Sequence, residues 1–142
     1  MRDTHNNVRS RIAIKPVAIG TTGTGQTGKI IDRQGYEGLE FLIGIGEVTA
    51  TNATVTVTIK EGDATGTLTS VADADLLGTE AAAGLAAGVR ASGTTKNAPR
   101  RIGYGGNKRY VQCNMKSTVT AGALISALAL LTKPQLKPTA NP

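Results

Sequence analysis

The stretch NATVTVTIK, residues 52–60, decides the fold class. In it Val55, Val57 and Ile59 alternate with Thr54, Thr56, Thr58 and Lys60, a period of two that sets branched apolar side chains on one face of a strand and mostly hydroxyls on the other. Further on, KRYVQCNMK, residues 108–116, repeats the pattern, with Val111, Cys113 and Met115 against Tyr110, Gln112, Asn114 and Lys116. Each stretch predicts a strand with one dry and one wet face, the mark of an antiparallel sheet. Cys113 then falls on a dry face as an inert core thiol.

Working outward, GLEFLIGIG, residues 38–46, is nearly continuous in apolar residues between glycines. That predicts a central strand covered on both faces. IAIKPVAIG, residues 12–20, pairs Ile12 with Ile14 and then Val17 with Ile19; Pro16 cannot donate to a ladder, which confines the segment to a sheet edge or a bulge. Residues 67–71 supply a further short strand, and Ile30 with Ile31 begins or ends another. AGALISALALL, residues 121–131, reads either as a helix, with Leu124, Leu128 and Leu131 at helical spacing, or as a buried strand. The β-branched STVT before it and Pro134 after it favour the strand. Residues 72–88 hold helix-forming Ala and Leu, but Gly78, Gly84 and Gly88 interrupt them, so we expect a connection with at most one short turn.

Turn residues separate many of these runs at the spacing of a sandwich or barrel, and 142 residues suit one core. We therefore expect a single all-β domain over residues 12–132, a flexible basic arm over residues 1–11, and a Pro- and Lys-containing tail over residues 133–142. Aromatic residues are 3% of the chain and Trp is absent, which argues against a ring-lined ligand pocket. One cysteine permits neither an intrachain disulfide nor a cysteine-rich zinc site. No apolar run reaches the length of a membrane-spanning helix and the N-terminus has no apolar signal core, so a soluble protein made in a reducing compartment is expected.

Charge is divided along the chain. Seven basic and ten acidic residues lie at or before Glu80; nine basic and no acidic residues follow it, and the net charge is +6. The basic half includes KNAPRRIGYGGNKRY, residues 96–110, where Arg100, Arg101, Lys108 and Arg109 surround Tyr104 and Tyr110. Such a mixture suits either phosphates and stacked bases or a solvated hairpin that contacts an acidic protein neighbour. The aromatic residues do not alternate along one strand as in an RNA-recognition sheet, and we favour protein contact.

Catalytic and cofactor motifs fare poorly. GTGQTGKI, residues 23–30, fits most of a phosphate loop through Gly23, Gly28 and Lys29, and also a dinucleotide fingerprint through Gly23, Gly25 and Gly28, with Glu47 near the place of the ribose-binding acid. A working phosphate loop needs a hydroxyl after the lysine and a helix facing the phosphates, yet Ile30 holds the first place and Gly35 and Gly38 break the second. The stretch reads as a Gly/Thr loop between strands. His5 is alone in a polar arm. Asp73, Asp75 and Glu80 lack the remaining positions of a calcium loop and read as an acidic turn. With no nucleophile set and no carboxylate pair in an apolar setting, neither an enzyme nor a cofactor is expected.

The succession GKIIDRQGYEGLEFLIGIGEVT (28–49), TVTVTIKEGD (54–63), LTSVADADLLGTE (68–80), IGYGGNKRYVQCNMK (102–116) and AGALISALALLTKPQLKP (121–138) resembles the capsid cement, or decoration, proteins of tailed bacteriophages. This resemblance implies a jelly-roll-like antiparallel β-sandwich, self-association as a homodimer, and a place on the capsid exterior over junctions between major capsid subunits. The chain would be made in the host cytoplasm and would need no cofactor, membrane or small-molecule substrate. Arg2, Arg9 and Arg11, with Arg100, Arg101, Lys108 and Arg109, are the expected contacts to an acidic capsid surface. The rival reading is a small basic nucleic-acid-binding β-barrel.

Overall fold

The computed structural model describes residues 3–19, 25–48, 53–85, 98–118 and 124–136. In chain order these form β1 (Val8–Ala18), β2 (Gln26–Asp32), β3 (Tyr36–Ile45), β4 (Val55–Gly62), β5 (Thr69–Ser70), β6 (Leu76–Leu77), α1 (Glu80–Ala83), β7 (Ala98–Tyr104), β8 (Tyr110–Ser117) and β9 (Leu124–Pro134). The strands make two antiparallel sheets, ordered β1-β9-β3-β7-β6 and β2-β8-β4-β5, packed as a jelly-roll-like sandwich.

The alternation read from the sequence makes the core. Val55, Val57 and Ile59 of β4 and Val111, Cys113 and Met115 of β8 are all buried, and they face Phe41, Ile43, Ile102, Ile125 and Leu131 of the other sheet within one hydrophobic cluster. Size is balanced along the central pair, where Phe41 stands beside Ala129 and Ile43 beside Ala127 in register. Small beside large evens the thickness of the layer between the sheets. Burial pushes the Cys113 thiol up to about 12, with the Glu80 charge adding to the effect, so the group is an inert core filler. Residues 124–131 are strand, and Pro16 lies in an edge strand whose register shifts between Ile12 and Ile14 and again before Val17.

Several expectations are corrected. β3 is central, yet among the described residues no second layer covers its outer face, as an antiparallel sheet allows; Leu42 is 38% exposed. Ile12 and Ile14 do not share a face. The irregularity between them buries Ala13 and Ile14 together and leaves Ile12 51% exposed, since a bulge shifts the phase of alternation. The expected arm over residues 1–11 ends early: β1 starts at Val8, and residues 8–11 pair with Thr132 through Ala129. Main-chain pairing is indifferent to polar side chains, so β9 extends the strand beyond its apolar part. Lys133 and Pro134, placed in the tail, complete β9, with Tyr36 opposite Pro134. The expected strand over residues 67–71 is reduced to β5, and residues 72–85 hold a 3-10 turn (Asp73–Asp75), β6 and the four-residue α1.

That connection guards the outer edge of β4. Thr79 caps α1 by accepting from the Ala82 N–H at 3.0 Å, while Glu80 reaches across to accept the Ile59 N–H at 2.6 Å. Val55 and Leu85 exchange main-chain hydrogen bonds of 2.9 and 2.8 Å. Donors that a free edge would expose are thereby occupied.

Candidate functional site

β7 and β8 belong to different sheets, so the basic stretch around them is no hairpin: residues 105–109 carry the chain across one end of the sandwich. The crossing is held by polar contacts on both sides. Tyr104 Oη donates to the Glu61 carboxylate and accepts the Lys108 N–H at 3.0 Å. Arg33 stands over the Tyr104 ring, 4.9 Å from its centre, and donates to the carbonyls of Gly106 (2.5 Å), Lys108 (3.3 Å) and Glu37 (2.8 Å). A Cβ at Gly106 would collide with the Tyr104 phenol, so the loop packs this closely only with glycine there. Burial, then the hydrogen bond to Glu61, pushes the Tyr104 hydroxyl up to about 12.

Two of the expected contact residues are occupied at this end. Lys108 Nζ lies 2.6 Å from Asp63. Arg109 grips Asp32 through Nε at 3.0 Å and Nη2 at 2.7 Å and stacks 4.9 Å from the centre of the Tyr110 ring. The Arg109 hydrogen bond holds the Asp32 carboxyl below its ordinary range, helped by the Gln34 N–H and by the charges of Arg109 and Arg11 against the opposing effect of burial. Arg101 stands 3.6 Å from Glu40, both side chains exposed. Arg100 shares the inner face of β7 with Ile102 and is half-buried, and its buried Nε has no hydrogen-bond partner among the described residues.

Arg9 and Arg11 are placed differently. They sit opposite Leu131 and Ala129 in the β1–β9 register, so they share the face of β1 that looks into the sandwich. There the two sheets do not close. β1 and β2 are edge strands of different sheets, and between them runs an open groove of about 530 Å³, lined by Arg9, Arg11 and Lys29 with Ile12, Ile30 and Leu128 among its apolar residues. No carboxylate among the described residues forms an ion pair with any of these three cations. The walls meet at Ala13 and Gly28, where a Cβ on Gly28 would collide with the Cys113 carbonyl oxygen and stand 3.3 Å from that of Ala13. Gln112 and Asn114 hold that point, Gln112 donating to the Gly28 carbonyl at 2.8 Å and Asn114 accepting the Gly28 N–H at 3.1 Å.

The groove opens onto an apolar row. Ile12, Leu128 and Leu42 are neighbours in register across β1, β9 and β3, and Arg101 on β7 ends the row. Ile12, Leu128 and Leu42 are 51%, 42% and 38% exposed. Consecutive large apolar residues on the outer face of a sheet, edged by cations, have the make-up of a docking surface.

The sequence pointed to Arg9 and Arg11 and missed the rest of this site. Lys29 belongs to the stretch expected to be a Gly/Thr loop between strands, and that expectation is corrected: Gln26–Asp32 is β2, so Gly28 and Lys29 lie within a sheet strand, and Gly23 lies outside the described residues. Arg2 also lies outside them. Arg33, Glu61, Asp32 and Asp63 carried no local signal. Among the described residues no three His, Cys, Asp or Glu side chains group to hold a metal ion, and no helix is long and apolar enough to cross a membrane.

No family model and no curated protein matches the chain. Among solved structures, it is similar to the CBM22-1–GH10 modules of the Clostridium thermocellum endo-1,4-β-D-xylanase 10B complexed with xylohexaose, at 10% identity and a TM-score of 0.48 over 96% of this chain and 28% of that one. It is also similar to the Eiger TNF of S. frugiperda, at 9% identity and a TM-score of 0.35 over 96% and 92% of the two chains.

Proposed function

We propose that the protein is structural: a decoration protein that binds the outside of a tailed-phage head, contacts the major capsid protein and copies of itself, and stabilises junctions between capsid subunits. The observation that carries this reading is the exposed row of Ile12, Leu128 and Leu42 beside Arg9, Arg11 and Lys29, which have no ion pair among the described residues. It supplies an apolar centre and a charged rim, the composition of a protein-binding surface, on a scaffold whose remaining edges are short or covered. Repeated by the symmetry of a shell, a modest interface suffices, because many copies act together. Arg9, Arg11, Arg100 and Arg101 remain contact residues in this reading, while Lys108 and Arg109 also pair with Asp63 and Asp32 of their own chain.

The experiment is cosedimentation of the purified protein with tailed-phage heads stripped of their own decoration protein, with a reconstruction of the decorated particle. The proposal predicts saturable binding on the exterior and rupture of the heads at a higher temperature. Binding that ignores heads, together with tight, steeply salt-dependent binding to a random oligonucleotide, would establish the nucleic-acid reading in its place.

A further inference from the structure

We infer that the groove between β1 and β2 receives an extended acidic segment of a partner chain, with carboxylates on Arg9, Arg11 and Lys29 and alternate aliphatic side chains on Ile12, Ile30 and Leu128. The inference rests on the docking reading above and adds to it the site and the chemistry of the partner.

Three features select this occupant. Charge comes first: three cations converge on one opening, and no described carboxylate is paired with any of them. Asp32, whose carboxylate feels the charge of Arg11, is held by Arg109. A ligand that brings carboxylates therefore meets cations that no described carboxylate holds in an ion pair.

Shape comes second. Residues 9–12 give the groove about 13 Å of length at the ~3.3 Å rise of a strand, enough for about four residues of an extended chain. Both walls are edge strands, and an edge strand leaves alternate N–H and C=O groups open to a chain lying alongside.

The lining comes third. It is aliphatic and contains no aromatic ring, so it offers nothing for a base to stack on, which separates it from a single-strand nucleic-acid groove. A second copy of this edge is disfavoured as well. It would bring Arg9, Arg11 and Lys29 against their own like charges, the device by which edge strands avoid each other.

The probe is a fluorescein-labelled hexapeptide of alternating Glu and Val, amidated at its C-terminus, titrated by anisotropy into the intact protein. Its companions are the Lys–Val peptide and a thymidine tetranucleotide, which carries three phosphodiesters. The expected result is saturable binding of the Glu–Val peptide alone, weakened by about tenfold or more in the double variant Arg11→Glu, Lys29→Glu. The variant Lys60→Glu, Lys116→Glu makes the same change in net charge on the outer face of the other sheet and should bind within about twofold of wild type. Both variants are melted first; a groove variant that unfolds is replaced by Arg11→Gln, Lys29→Gln, for which a loss is again expected. Equal weakening by the two double reversals, unchanged binding in the groove variant, or tighter binding of the tetranucleotide would each overturn the inference. Heads that bind the groove variant as well as wild type would remove the groove and leave the decoration role standing; a groove-dependent peptide that meets no head would do the reverse.

Discussion

The crossing at residues 105–109 and the groove between β1 and β2 use the same kinds of side chain to opposite ends. At the crossing, Arg33, Lys108 and Arg109 are each engaged by a carboxylate, a carbonyl or a ring of their own chain. In the groove, Arg9, Arg11 and Lys29 line an opening with no ion pair among the described residues. The difference teaches that a basic cluster in sequence is not a basic surface in space. Within KNAPRRIGYGGNKRY, Lys108 and Arg109 are tied into the crossing while Arg100 and Arg101 are not, and Lys29, isolated in a glycine-rich stretch, joins two arginines from a different strand at one open groove.

Breaking that contrast has its largest expected effect at Arg33. Arg33→Ala removes the donor to three carbonyls and the cation over Tyr104, and we expect a stability loss of about 2–4 kcal/mol in chemical denaturation, with groove binding unchanged. An Arg33→Ala protein as stable as wild type would show that the crossing is not held as described.

Tyr104→Phe comes next. It deletes the hydroxyl that links Glu61 to the Lys108 N–H, and an unsatisfied partly buried pair costs about 1–3 kcal/mol. The same hydroxyl has a raised folded value of about 12. Its contribution is complete below the unfolded value near 10 and is lost as pH rises through the folded one. Spectrophotometric titration should accordingly find a tyrosine that ionises near pH 12 in wild type and is missing from Tyr104→Phe.

Asp32 gives a smaller effect of opposite sign. Its folded value is lowered, so its contribution is present above the ordinary carboxylate range and is lost as pH falls through the depressed value. Melting wild type and Asp32→Asn side by side should show wild type the more stable at neutral pH, the gap closing in acid; a gap that widened in acid would contradict the Arg109 pairing. Smallest of all, Arg101→Ala breaks an exposed contact of 3.6 Å and should change stability by less than about 1 kcal/mol in the same denaturation assay.

How much of this was legible in the sequence follows from how far each signal reaches. Val55, Val57 and Ile59, like Val111, Cys113 and Met115, announce their burial through neighbours two positions away, and the fold class follows from them. Continuous apolarity placed β3 at the centre of its sheet, but it overstated the cover on β3: Leu42 faces out. In β1 the local signal fails where the bulge at Ile12 shifts the phase, because nothing in IAIK marks which residue is extra. The site depends on still longer range. Lys108 finds Asp63 across 45 residues and Arg109 finds Asp32 across 77, so the sequence alone had no means to separate the cations the fold occupies from the ones it leaves open.

Hydrogen exchange on the protein bound to stripped phage heads, compared with the free protein, tests the division of labour most directly. The account predicts that amides of residues 9–12 and 29–31, with those around Leu128 and Leu42, gain protection, while residues 105–109 exchange as before. Protection confined to residues 105–109, with the groove strands unchanged, would contradict it.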